Sequence, residues 1–84
     1  MNNEIKLEIL NLAQSVFDDR QFNIILTCLD MQNYNRLRLF VAEQMELLEA
    51  IFVLHSDDMV LRTQVELCNK LEDLVMDVYI GELN

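Results

Sequence analysis

Apolar residues recur at intervals of three and four along most of this 84-residue chain, a pattern typical of amphipathic helices. Polar clusters interrupt the pattern at 18–21, 30–35 and 55–58. We therefore predict helices at about 3–17, 22–29, 35–54 and 57–80, the first with Asn3 as its N-cap. The pattern leaves open whether 30–35 is a turn or continues the second helix into the third.

The last predicted helix has clear signals at both ends. Ser56 or Asp57 is expected to be its N-cap, and Gly81 follows its last periodic residue, Ile80. A glycine at this position is typical of a left-handed C-cap. The chain has no proline and no other glycine, so its remaining turns must be built from polar residues.

Each predicted helix has an apolar face that should turn inward. On the third helix this face consists of Leu37, Phe40, Val41, Leu48, Ile51 and Phe52. On the fourth it consists of Val60, Leu61, Val65, Leu67, Cys68, Leu71, Leu74, Val75 and Val78. In 45–54 the only polar residues are Glu46 and Glu49, so this segment is apolar nearly all round. Such a helix is usually central in a core or covered at an interface.

These elements predict one all-α domain spanning 1–84, a small antiparallel bundle of three or four helices. A domain of this size has a thin stability margin, which disulfides, metals or oligomerisation usually supplement. Cys28 and Cys68 are the only cysteines, and we expect them to be buried thiols because no secretory signal precedes them. We therefore expect the protein to be dimeric or bound to a partner.

The net charge indicates which class of partner the chain can bind. Fifteen acidic residues against six basic ones give a net charge of -9, which opposes direct binding to nucleic acid or to an anionic membrane. A protein with a basic surface is the partner that this charge favours. No apolar run approaches the length of a membrane span, and we expect a cytoplasmic location.

Acidic residues at helical spacing form the candidate partner-binding surface. Glu43, Glu46 and Glu49 make a ridge on the third helix, and exposed Leu39 and Val53 on the same helix would add apolar contact. The fourth helix adds a second set of carboxylates: Glu66, Asp73 and Asp77. The alternative is that both are ordinary solvated faces that keep an apolar protein in solution.

Candidate chemistry is sparse. His55 is the only histidine and is expected to cap the end of the third helix rather than to act as a base or metal ligand. The Asp pairs at 18–19 and 57–58 each precede a predicted helix, where carboxylates cap free N–H groups. Gln44 and Gln64 fall on apolar faces, so their amides need partners within the chain or across a dimer. We predict no catalytic, cofactor-binding or metal-binding residues.

The combined pattern favours a non-enzymatic protein that acts by binding another protein. A compact, acidic chain without catalytic groups resembles inhibitors and regulators, including those that phages and mobile elements encode. A sharper version is a nucleic-acid mimic, or DNA mimic, directed at a nucleic-acid-binding protein. The alternative is a structural or chaperone-like subunit whose apolar third helix is covered in a permanent assembly.

Overall fold

The computed structural model describes residues 1–83 and folds them into four helices. These are α1 (Asn3–Val16), α2 (Asp19–Asp30), α3 (Tyr34–Leu54) and α4 (Met59–Leu83). The all-α prediction is confirmed. No helix within the described residues combines the length and the apolar content that crossing a membrane requires.

Short polar side chains start the helices. Asn2 caps α1, one residue before the predicted Asn3, and Asn33 caps α3. Asp18 caps α2 as expected, and it forms a reciprocal capping box with Gln21. At α4 the predicted Ser56 or Asp57 is wrong, because the carboxylate of Asp58 accepts from the N–H groups two and three residues later.

Residues 31–33 form a turn that ends α2 before α3 begins. The second helix therefore does not continue into the third, which was the alternative that the sequence left open. The N–H of Asn33 donates to the carbonyl of Cys28 at 2.9 Å, and the N–H of Gln32 donates to that of Leu29 at 3.1 Å. This pair of hydrogen bonds is the Schellman motif, which requires a left-handed residue. Gln32 takes that conformation, with φ 55°.

The predicted C-cap at Gly81 is wrong. α4 continues through Gly81 to Leu83, and Gly81 does not have a positive φ. A glycine inside a helix costs about 1 kcal/mol relative to alanine, but it does not force the helix to end. The N-terminal amino group of Met1 lies 3.3 Å from the Glu82 carboxylate and ties this last turn to the start of α1.

The helices pack in chain order, and the last contacts the first. α1 contacts α2 and α4, α3 contacts the same two helices, and the α3–α4 pair is the most extensive. The core cluster consists of Ile9, Ala13, Phe17, Ile25, Cys28, Leu29, Leu37, Val41, Met45, Cys68, Leu71, Val75 and Val78. Both cysteines are buried free thiols, as expected.

The inward face of α3 is turned further toward α4 than the sequence predicts. Its buried residues are Leu37, Val41 and Met45, whereas Ile51 is exposed. On α4, Val60 is also exposed rather than inward-facing. At about 1.5 Å per residue, α1 and α2 are about 20 Å long, against more than 30 Å for α3 and α4. The shorter helices therefore cover only part of the α3–α4 hairpin.

Candidate partner-binding surface

Exposed apolar side chains concentrate at the end of the α3–α4 hairpin, in residues 47–60, which we call the hairpin tip. Twelve large apolar residues are exposed within residues 1–83, and six of them lie in the tip. Their exposed fractions run from 48% to 78%; they are Leu47, Ile51, Val53, Leu54, Met59 and Val60. Exposed apolar surface that is clustered in this way marks interaction sites in soluble proteins.

The tip is bare because α1 and α2 end before they reach it. α1 ends at Val16 and α2 begins at Asp19, so the turn between them limits what the two helices cover. The last buried residue of α3 is Met45. Phe40, Gln44, Leu47 and Ile51 follow one another at helical spacing, yet only the first two are partly covered. The apolar face thus continues past its covering helices.

Two grooves border the end of α1 and open toward the tip. The first has a volume of about 200 Å³, and its lining residues are Val16, Phe17, Gln21, Gln44, Leu47, Leu48 and Ile51. The second has a volume of about 400 Å³, and its lining residues are Ser15, Met59, Val60, Thr63, Gln64 and Leu67. The first combines apolar side chains with two amides, and the second combines them with one amide and two hydroxyls. This composition suits the packing of a partner's side chains.

A hydrogen-bonded glutamine pair lines the first groove. Gln21 Nε2 donates to Gln44 Oε1 at 2.8 Å, and Gln21 Oε1 accepts from the backbone N–H of Asp18 at 3.0 Å. The amide of Gln44 therefore finds the partner that its apolar surroundings require, within the same chain. Because the pair links the start of α2 to the middle of α3, it holds the wall of the groove in place.

The predicted acidic ridge winds around α3. Residues three apart are rotated by about 60° on a helix, so Glu43, Glu46 and Glu49 point in successively different directions. Glu46 and Glu49 approach Glu72 on α4, and burial, Asp73, Glu49 and Glu46 together raise the pKa of Glu72. Burial, Glu72 and Glu49 also raise the pKa of Cys68 to about 11. The ridge thus belongs partly to a negatively charged α3–α4 seam.

The structure places the other predicted residues on separate surfaces. Asp73 and Asp77 line an open groove of about 780 Å³ between α1 and α4, beside Glu4, Glu8 and Lys70. Glu66 lies 3.5 Å from Arg62 in an exposed ion pair. Leu39 and Val53 are both exposed on α3, as the sequence predicts, and Val53 is within the tip. The eight predicted residues therefore do not form one continuous site.

The histidine and the aspartates that were considered as candidate chemistry lie at the ends of helices. His55 is exposed and follows α3, where its backbone N–H donates to the carbonyls of Ile51 and Phe52. Asp18 and Asp58 are helix caps. In the part of the chain that the structure describes, no three His, Cys, Asp or Glu side chains are grouped so that they could hold a metal ion.

One cationic contact escaped the sequence analysis. The guanidinium of Arg38 stacks 4.4 Å from the ring centre of Tyr79, and its Nη2 donates to Asn35 Oδ1 at 2.7 Å. This contact joins the start of α3 to the end of α4, at the opposite end of the hairpin from the tip. The residues are 41 positions apart in the chain, so no local pattern could reveal it.

Comparison with protein-family models, with curated proteins and with solved structures gives no match for this chain.

Proposed function

We propose that this protein is a non-enzymatic regulator or inhibitor that acts by binding another protein with a basic surface. The observation that carries this proposal is the bare hairpin tip, which exposes six large apolar side chains on a chain of net charge -9. An apolar patch supplies contact energy, and a negative field increases the rate of association with a basic partner.

We also propose that the four helices form an up-and-down antiparallel bundle. Connections of two to four residues between helices that neighbour one another are typical of an up-and-down antiparallel bundle. We place the protein in the cytoplasm, where its two buried thiols would stay reduced. The core cluster draws residues from all four helices, so the chain has an interior of its own beside the uncovered tip.

A nucleic-acid mimic is the sharper version of this function. The carboxylates of the α3–α4 seam give an acidic surface that could occupy a phosphate-binding site. In that case the partner is itself a nucleic-acid-binding protein, and DNA or RNA competes with this protein for it. Failure of nucleic acid to compete would exclude the mimic.

A permanent structural or chaperone-like subunit is the second candidate, and the exposed tip favours it as well. A permanent apolar interface is nearly insensitive to salt, whereas a partner attracted by charge binds more slowly as the ionic strength rises. The dependence of the association rate on salt therefore separates the two functions.

The test is affinity capture from a lysate of the source organism, followed by association kinetics with the captured protein at several salt concentrations. We expect a partner with a basic surface and an association rate that falls with salt. The double variant Glu43→Lys/Glu46→Lys should slow association and flatten its salt dependence. The matched control Glu4→Lys/Glu8→Lys makes the same change in net charge on α1, and it should have a smaller effect.

One result would contradict the proposal, and a second would exclude the ridge from it. A wild-type protein that is monomeric by solution mass and captures nothing would argue against any binding function. Equal kinetics of the two double variants would remove the ridge from the binding surface, although binding through another surface would remain.

A further inference from the structure

We infer that the hairpin tip is a docking site for an amphipathic helix of the partner, with an apolar face flanked by lysine or arginine. This inference rests on the proposed function and specifies which surface binds and what chemistry it recognises. It follows from the shape of the tip, from the two grooves beside it and from the charges that surround them.

The shape favours a helix as the occupant. On the covered half of the hairpin, α2 packs along α3, and the face of α3 that it covers continues into the tip through Leu47 and Ile51. The stretch from Leu47 to Leu54 is about 10 Å long, which is the length of about two helical turns. A partner helix placed there would extend the packing that α2 begins.

The grooves supply positions for its anchoring side chains. The first groove, of about 200 Å³ beside Phe17, is large enough for one leucine or phenylalanine side chain, and Leu47 and Ile51 form its outer wall. The second groove, beside Val60 and Leu67, lies on the α4 side of the tip. Two apolar anchors on one face of a helix, three to seven residues apart, are the usual way in which a helix fills such a surface.

The charges at the edge of the tip select a basic partner. Eight carboxylates lie within two residues of a groove residue in the sequence: Asp18, Asp19, Glu43, Glu46, Glu49, Asp57, Asp58 and Glu66. The basic residues in these stretches are Arg20 and Arg62, and Arg62 is already paired with Glu66 at 3.5 Å. A second copy of this chain would bring the same carboxylates to the interface, so like charges would face one another. Lysine or arginine on the flanks of a partner helix would instead meet opposite charge.

The test uses a designed peptide of about 18 residues that has leucines at helical spacing on one face and lysines on both flanks. Its control peptide carries glutamates in place of the lysines. Binding of each peptide is measured by fluorescence anisotropy to the full chain, to the tip variant Leu47→Ser/Val60→Ser and to Leu7→Ser. Leu7 is a matched control because it is 60% exposed on α1, against 57% for Leu47.

We expect the lysine peptide to bind the wild-type protein and the glutamate peptide to fail. The tip variant should weaken binding by about tenfold or more, because it removes two anchoring contacts at the interface, and Leu7→Ser should leave binding unchanged. Circular dichroism of both variants verifies that they remain helical, and the exposure of all three leucine and valine positions makes loss of folding unexpected.

Four outcomes would overturn the inference. The first is no binding of the lysine peptide, and the second is equal weakening by Leu7→Ser. The third is a wild-type dimer in solution that the tip variant dissociates, which would make a second copy the occupant. The fourth is capture of the same partner by the wild type and by the tip variant, which would reject the tip as the binding surface but leave the proposed function intact. Capture of nothing by the wild type would instead reject the proposed function itself.

Discussion

The α3–α4 hairpin has two ends that are similarly apolar in sequence and very different in structure. At the end formed by the start of α3 and the last turns of α4, α1 and α2 cover the apolar faces, so that Leu37, Val41, Val75 and Val78 are buried. At the tip, Leu47, Ile51 and Val60 lie on comparable faces and are exposed. The difference shows that an apolar face is buried only when another helix is long enough to reach it.

This comparison separates residues that stabilise the fold from residues that are available for binding. The covered end contributes to the core cluster, and its side chains have partners within the chain. The tip contributes little to that cluster, and it retains apolar surface that the chain itself does not cover. A change at the covered end should therefore alter stability, while a change at the tip should alter binding.

The largest expected effect contrasts two leucines, one in the core and one at the tip. Leu71→Ala should lower the free energy of unfolding by about 2–5 kcal/mol, because Leu71 is fully buried and its loss leaves a cavity. Leu54→Ala removes the same atoms from a side chain that is mostly exposed, so it should change stability by less than about 0.5 kcal/mol. Urea unfolding monitored by circular dichroism measures both values.

Similar losses in the two leucine variants would contradict the contrast. A large loss on Leu54→Ala would mean that the tip is already covered in solution, for example by a second copy. The dependence of unfolding on protein concentration would then identify that dimer, since dissociation of a dimer makes stability concentration-dependent.

An intermediate effect is expected at the two turns, one at each end of the hairpin. Gln32→Gly should stabilise the protein by about 0.5–1 kcal/mol, because Gln32 has φ 55° and a side chain is unfavourable in the left-handed region. His55→Gly, in the tip turn, should bring no gain, because His55 has φ -135°, which any residue adopts. Thermal unfolding of both variants measures the difference.

Gln32→Ala is the second control, since alanine keeps the Cβ atom that is unfavourable there. If Gln32→Gly is no more stable than Gln32→Ala, the turn does not hold a strained residue. Backbone strain at Gln32 would then not distinguish the two ends of the hairpin.

The sequence predicted the helices better than it predicted their burial. Periodicity and polar clusters located all four helices, and the capping role of Asp18 followed from local chemistry alone. Ile51 and Val60 were assigned inward because periodicity reports which face is apolar, whereas their exposure depends on where α1 and α2 end. Met45 was missed because the direction of the buried face is set by the close packing of α3 on α4, which is a tertiary property.

The candidate site was only partly accessible from sequence for the same reason. The apolar segment 45–54 stood out, and exposure of Leu39 and Val53 was correctly predicted. The grooves at the tip could not be predicted, because they require residues 15–21 to lie against both α3 and α4. A comparison of the predicted helix lengths, about 15 and 8 residues against about 20 and 24, was the available signal that one end of the hairpin would remain bare.

The smallest expected effect concerns the acidic seam between the two ends of the hairpin. Burial, Asp73, Glu49 and Glu46 raise the pKa of Glu72 above its ordinary value of 4.5. A carboxyl group with a raised pKa binds its proton more tightly in the folded state, so folding loses stability as the pH rises through that pKa. Glu72→Gln removes this loss and should make the protein more stable than the wild type at neutral pH.

The gain from Glu72→Gln should disappear as the pH falls below 4.5, where the carboxyl is protonated in both the folded and the unfolded chain. Glu43→Gln is the matched control, because Glu43 is not among the groups that raise the pKa of Glu72. Urea unfolding of the three proteins between pH 4 and pH 8 measures the trend. A Glu72→Gln gain that is independent of pH, or that Glu43→Gln reproduces, would show that the seam carries no specific repulsion. The acidic surface would then act only through its total charge, and the tip would be the one part of the hairpin whose local structure selects a partner.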